Sequence, residues 1–190
     1  MSHAFKYEFT HFDDYLNTEQ DTEIRHEYVD GQIYAMSGAS AAHNLLAGEL
    51  FAALHANTEP PCHVFMSDMK LVIKQQDKQF AYYPDVMVAC DTQEESAYYR
   101  QQPILLIEVL SPSTQRTDLG EKLANYSSIP SLREYLIVSQ DTPHLQLFRR
   151  RTNWQAEYYY AGDMLKLESV DLTLAVEQIY RRIRQQVGLA

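Results

Sequence analysis

The chain has 190 residues, 45% of them hydrophobic and 22% charged, with a formal net charge of −10. That length fits one domain spanning residues 1–190, and the apolar share suffices for a sizeable core, which excludes a disordered polymer. The longest apolar run, Ile104 to Leu110, is too short to cross a bilayer and carries Glu108 inside it, which argues against a membrane segment.

In chain order, Thr10 is a candidate cap for a short helix with Phe12, Tyr15 and Leu16 on its apolar side. Asp30-Gly31 stands between two alternating runs, Arg25 to Val29 and Gln32 to Met36, and predicts a hairpin because glycine accepts positive φ. From Ala41 to Asn57 the residues Leu45, Leu46, Leu50, Phe51 and Leu54 recur at helical spacing, and Pro60-Pro61 stops the helix. His63 to Ser67, Lys70 to Lys74 and Phe80 to Ala89 read as strands. Ile104 to Leu110 reads as a central strand covered on both faces. Leu119 to Tyr126 reads as a helix and Glu134 to Ser139 as a strand, a unit that favours a parallel crossover. His144 to Arg150 and Trp154 to Tyr160 suggest an antiparallel hairpin, and Leu174 to Arg184 a closing helix. The predicted fold class is α/β in the broad sense (α+β), with a mixed sheet flanked by helices.

Cys62 and Cys90 lack metal-ligand spacing and read as separate buried thiols more readily than as a pair that the fold happens to bring together. Met1 is followed by no charged-then-apolar leader, and together these features point to the cytoplasm. The only basic clusters are Arg149-Arg150-Arg151 and Arg181-Arg182-x-Arg184, so the acidic balance lowers the expectation of a basic nucleic-acid face. It does not exclude an acidic cleft whose repulsion a divalent cation offsets. Of the 14 tyrosines, Tyr82-Tyr83 and Tyr158-Tyr159-Tyr160 have two readings: platforms for bases, or half-buried strand residues, the simpler explanation.

Glu108 is the most informative residue, because a carboxylate on a central strand is costly to bury unless paired or bound to a cation. Asp85 follows Pro84, which cannot donate to a ladder and so marks a kink that aims one side chain into a cleft. Asp118, Lys122 and Tyr126 are spaced i, i+4, i+8 and share one helix face, which a short loop brings back over the end of the Glu108 strand. Taken singly, each has an ordinary explanation: a strand-end salt bridge, a turn dipeptide, a solvated ion pair. Taken together, two carboxylates suit Mg²⁺, which prefers oxygen ligands and retains waters. Such a metal lowers the pKa of a bound water and polarises a phosphoryl oxygen, while a lysine orients the water or stabilises the charge that builds on phosphorus.

The set Pro84-Asp85, Ile107-Glu108-Val109-Leu110-Ser111-Pro112-Ser113, Asp118-x-x-x-Lys122-x-x-x-Tyr126 and Glu134-Tyr135-Leu136-Ile137-Val138 resembles the Uma2 family of restriction-endonuclease-like proteins, within the PD-(D/E)xK nuclease superfamily. The resemblance extends from Tyr28-Val29-Asp30-Gly31-Gln32-Ile33 and His43 to Asp171-Leu172-Thr173-Leu174. It implies a restriction-endonuclease-like core and a Mg²⁺-dependent endonuclease that hydrolyses DNA, with Mn²⁺ as a substitute. Asp85 and Glu108 are the implied metal ligands and Lys122 the implied catalytic amine. The superfamily lysine should stand two residues after the glutamate; Leu110 stands there, and Lys122 supplies the amine from the helix. Glu27, His43 and Asp118 are auxiliary candidates: Glu27 as an N-terminal acidic group near the metal, His43 as a phosphate contact or proton shuttle. A homodimer is expected if both strands of a duplex are cut. The competing readings are a catalytically silent interaction module of the same fold and a hydrolase of another phosphate ester, RNA or a nucleotide.

Overall fold

The structure, a computed structural model, describes residues 11–90, 96–110 and 118–189, the side chains of 118 and 119 excepted. The chain runs α1 (Phe12–Thr18), β1 (His26–Val29), β2 (Gln32–Ala35), α2 (Ala41–His55), β3 (His63–Met66), β4 (Lys70–Lys74), β5 (Gln79–Tyr82), β6 (Val86–Ala89), β7 (Tyr99–Arg100) and β8 (Pro103–Leu110). A π-helical turn (Asp118–Lys122) leads into α3 (Leu123–Ser127). Then come β9 (Glu134–Ser139), β10 (His144–Arg149), β11 (Ala156–Tyr160), β12 (Met164–Leu167), β13 (Leu172–Ala175) and α4 (Val176–Ile179).

The strands form a five-stranded sheet in the order β2-β1-β5-β4-β7, a six-stranded sheet in the order β11-β10-β9-β8-β6-β3, and the hairpin β12-β13. The Asp30-Gly31 turn closes β1 on β2 with positive φ at both residues, 46° and 94°, the backbone that matches strand twist. Helix α2 begins where the Ser40 hydroxyl accepts from the His43 N–H at 3.1 Å, and buries Leu46, Leu50 and Leu54 at i, i+4 spacing. It ends at His55, two residues short of the predicted Asn57. The expected crossover exists: β8 and β9 pair in parallel, with the π-turn and α3 between them.

Several expectations change. The predicted strand Phe80 to Ala89 is two strands in two different sheets, because Tyr83-Pro84-Asp85 breaks the ladder where Pro84 has no N–H to give. The predicted closing helix Leu174 to Arg184 is helical only over Val176–Ile179, since Leu172–Ala175 pairs with Met164–Leu167 and takes the start of the apolar run into a sheet. The candidate cap Thr10 lies outside the described residues; the residue at the N-terminus of α1 is His11, whose side chain makes no capping bond. Cys62 and Cys90 are joined in a disulfide, not separate thiols. They sit one step beyond the His63↔Ala89 pair of β3 and β6, so strand register sets them side by side. The pairing also removes the thiol argument for a reducing compartment. Among the described residues no helix is long and apolar enough to cross a membrane.

The packing is layered. On one face of the six-stranded sheet, Leu46, Leu50 and Leu54 of α2 and the β12-β13 hairpin cover Val86, Val88, Leu105, Ile107 and Val109. On the other face, Leu106, Leu110, Tyr135 and Ile137 meet Leu71, Ile73, Phe80 and Tyr82 of the five-stranded sheet, with Tyr126 among them. A third cluster seats Phe12 and Tyr15 of α1 on Tyr28, Val72 and Ala81. Side-chain alternation along β8 places Glu108 in the layer between the two sheets, with Leu106 and Leu110.

The arginines of the Arg149-Arg150-Arg151 cluster are bonded to partners within the fold. Arg149 is buried against Glu134 and Glu157, Arg150 donates to the carbonyls of Leu132 and Ile129, and Arg151 grips Glu168. At the C-terminal end, Arg181 and Arg182 both hold Glu49, at 2.7 and 2.6 Å.

Candidate active site

The break at Pro84 puts Asp85 at the seam where the chain passes from one sheet to the other. Extending the β6–β8 register Val86↔Ile107 by one residue places Asp85 opposite Glu108. Two strands that pair for hydrophobic reasons thus set the backbones of two acidic residues across from each other at one end of the sheet. Asp85 Oδ2 accepts from the Val109 N–H at 2.7 Å and stands 3.1 Å from His43 Nε2 on the first turn of α2.

Glu108 is 4% exposed, in apolar surroundings that no unpaired carboxylate would tolerate. Its Oε1 accepts from Tyr126 Oη at 2.8 Å and from Lys122 Nζ at 3.1 Å. The i, i+4 spacing of Lys122 and Tyr126 is what lets one oxygen take both. Lys122 also stands 3.1 Å from Glu27 Oε1, so its ammonium is wedged between two carboxylates. The helix that carries it opens as a π-turn, a widened form common at functional positions.

Around this pair lies a ring of polar aromatics. Extension of the β1–β5 register sets Glu27 beside Tyr82, whose ring lies 5.5 Å from Lys122 Nζ. Tyr82 Oη donates to Glu121 at 2.9 Å and accepts from Asn125 at 2.7 Å. Tyr126 packs edge-on between Tyr82 and Tyr135, at 5.5 and 5.1 Å. Burial pushes the phenols of Tyr15, Tyr82, Tyr83, Tyr126 and Tyr180 above their ordinary range; nearby carboxylates add to this at Tyr82 (Glu121), Tyr83 (Glu19) and Tyr126 (Glu108). In the unfolded chain the same phenols ionise near pH ~10. Above that pH the unfolded chain releases protons that the folded chain keeps, so the stabilisation is complete below ~10 and is lost as pH rises, by up to ~1.4 kcal/mol per pH unit for each phenol. Urea midpoints should therefore hold up to about pH 10 and fall steeply above it, while tyrosinate absorbance appears only with unfolding for these rings. Early ionisation of all the tyrosines without loss of stability would contradict this.

The structure gathers Glu27, Asp85, Glu108, Lys122 and His43 around the seam. Asp118 begins the π-turn, but its side chain lies outside the described residues. Tyr126 entered the sequence pattern only as spacing, and its bond to Glu108 could have been anticipated from that shared face. Tyr82 and Asn125 carried no local signal, because they reach the site only after two sheets pack.

The donor set can be tested for a divalent ion. Asp85 and Glu108 offer hard carboxylate oxygens on adjacent strands, which suits Mg²⁺ in kind. Among the described residues no three His, Cys, Asp or Glu side chains form a ready ion site. The fit is therefore to an ion that takes two carboxylates and completes its shell with water and substrate oxygens, as Mg²⁺ does.

Comparison with known proteins decides the family. The family profile described as "Putative restriction endonuclease", Uma2, matches residues 12–177. The chain belongs to the Uma2 family. Two relatives from Synechocystis sp. are similar along most of their length: the uncharacterized protein slr1290, 36% identical over 173 residues (89% of this chain, 90% of the relative), and the uncharacterized protein sll1609, 35% identical over 131 residues (67% and 73%). A crystal structure from Anabaena variabilis, described as that of "a putative nuclease belonging to DUF820", superposes with a TM-score of 0.71 at 17% identity, covering 84% of this chain and 92% of the other. That likeness establishes the fold: the mixed sheets of this Uma2 chain form a restriction-endonuclease-like core.

Proposed function

We propose that this chain is a divalent-metal-dependent nuclease that hydrolyses phosphodiester bonds of DNA at the seam between its two sheets. The observation that carries this reading is the wedge of Lys122 between Glu108 and Glu27, with Asp85 opposite Glu108 on the neighbouring strand. Asp85 and Glu108 would hold Mg²⁺, or Mn²⁺ in its place. Bound there, the ion would supply Lewis-acid polarisation and a lowered water pKa.

The remaining groups have roles that follow from what they touch. Lys122 brings a positive charge into a largely water-excluded pocket, where it stabilises negative charge gathering on a phosphate far better than in solvent. Glu27 pairs with that ammonium at 3.1 Å and fixes its position. Tyr126 holds the Glu108 carboxylate by one oxygen, and the Val109 N–H holds Asp85 in the same way. His43 lies against Asp85, near enough to the carboxylate to restrict its rotamer. Cutting both strands of a duplex calls for a second site, which a homodimer would supply.

A silent interaction module is the second reading. It is favoured by the acidic balance and by the absence of a ready three-ligand group among the described residues. Against it, Lys122 turns toward Glu108, and a retired site has no physical reason to keep a buried carboxylate on a central strand.

One assay series separates these readings. Plasmid and linear duplex DNA, single strands, RNA and nucleotides are incubated with the protein in Mg²⁺, in Mn²⁺ and in EDTA. The expected result is metal-dependent cleavage of DNA that EDTA stops and that Lys122→Ala lowers by ~10²–10³-fold. Cleavage confined to RNA or nucleotides would move the substrate class. No cleavage of any substrate, together with no Mn²⁺ binding with or without a short duplex, would leave the interaction module.

A further inference from the structure

Tyr158 and Tyr160 are 56% and 55% exposed, unlike the buried tyrosines around the site. The ring of His144 stacks on both: centroids are 5.8 Å from Tyr158 at 11° and 5.1 Å from Tyr160 at 21°. The rings stand on one face of the six-stranded sheet, and strand register says which. Glu108 pairs with Ile137, Ile137 with Gln146, and Gln146 with Tyr158. Paired residues share a face, so Tyr158 lies in the same row and on the same face as Glu108. The next row runs from Leu110 through Ser139 toward His144 and Tyr160. Three strand spacings separate Glu108 from Tyr158, about 14 Å.

We propose that Tyr158, Tyr160 and His144 form a stacking platform for unpaired bases of the nucleic-acid strand that enters the Glu108 site. The inference rests on the nuclease reading for its choice of partner. A chain with net charge −10 and its Arg149–Arg151 cluster committed to internal partners has little to offer phosphates over this face. It offers ring faces instead, and stacking is indifferent to base identity and to phosphate charge. Gln146, between Tyr158 and Ile137 in the row, adds an amide that can meet a base edge. At a rise of ~3.4 Å per nucleotide, about 14 Å corresponds to roughly four nucleotides between the reacting phosphate and the rings.

The test measures binding apart from cleavage. Fluorescein-labelled oligodeoxythymidylates of about 4 to about 16 nucleotides are titrated, in EDTA and again with Mn²⁺, into the wild type, the Tyr158→Ala/Tyr160→Ala variant and the Tyr158→Phe/Tyr160→Phe variant. The alanine pair should weaken binding at least about fivefold per ring, with the salt dependence unchanged because no phosphate contact is lost. The phenylalanine pair, which keeps the ring faces, should bind as the wild type does. Equal binding by the alanine pair overturns the platform and leaves the nuclease reading untouched, as does a wild type that binds none of these strands yet cuts DNA. Ring-dependent binding in a protein that cuts nothing supports the platform while the nuclease reading falls. A dimer-to-monomer change in sedimentation of the alanine pair, with binding intact, would make the patch a self-association surface and overturn the proposal.

Discussion

Glu108→Gln is expected to abolish saturable Mn²⁺ binding and metal-dependent cleavage while leaving the fold intact. The amide keeps the shape of the carboxylate, and its oxygen still accepts from Tyr126 and faces Lys122, so the buried hydrogen bonds survive. What disappears is one negative charge next to Asp85. A hard divalent ion held by two carboxylates then has one charged ligand left, in a site where Lys122 already supplies a competing cation. Loss of a mere outer-shell partner costs metal affinity ~10–100-fold, so loss of a ligand should exceed that. Calorimetric titration of Mn²⁺ into the wild type, Asp85→Asn and Glu108→Gln reads this without any knowledge of the substrate. If Glu108→Gln binds Mn²⁺ as the wild type does, the ion does not sit on Glu108 and the proposed site is wrong.

Glu134→Ala is expected to lower the unfolding free energy by ~3–5 kcal/mol, the largest effect on stability. Glu134 and Arg149 are 1% and 3% exposed and bonded at 3.1 Å. Glu134 also accepts from the Glu168 and Ser169 N–H groups, at 3.1 and 2.8 Å, and so ties the segment after β12 to the sheet. Alanine would leave Arg149 with Glu157, the Lys166 carbonyl and the Glu168 carboxylate 3.9 Å away, and two backbone donors without their acceptor. For a chain of this size the loss corresponds to roughly 6–20 °C in melting temperature. Replacing both partners, Glu134→Met with Arg149→Met, should recover much of the loss, because an apolar pair carries no desolvation cost. Urea unfolding of the three variants checks this, and a single-variant loss under about 1 kcal/mol would mean the ion pair is not buried in solution.

The two sites differ in how much of them a reader of the sequence could see. Glu108 stood out because a carboxylate inside an apolar strand needs a partner, and Pro84 announced a break beside Asp85. Lys122 and Tyr126 shared a helical face, and both reach Glu108. The hairpin at Asp30-Gly31, helix α2 and the parallel β8–β9 crossover were equally legible, since each rests on local periodicity or on a glycine-bearing turn. The local elements rest on neighbouring residues alone, whereas the roles given to Asp85, Glu108 and Lys122 came from their combination and from the resemblance to the Uma2 family.

Only the tertiary structure decided the rest, for one physical reason: pairing between strands and contact between layers are long-range events that leave no trace in neighbouring residues. The Phe80 to Ala89 run does not say that its halves belong to different sheets. Cys62 and Cys90 become partners only because β3 lies against β6. Leu174 and Ala175 looked helical until β12 offered them a strand to pair with. Glu27 meets Lys122 because β1 pairs with β5 and the two sheets pack together. Tyr158 belongs to the face of Glu108 through three successive strand pairings, each of which the folded sheet alone specifies.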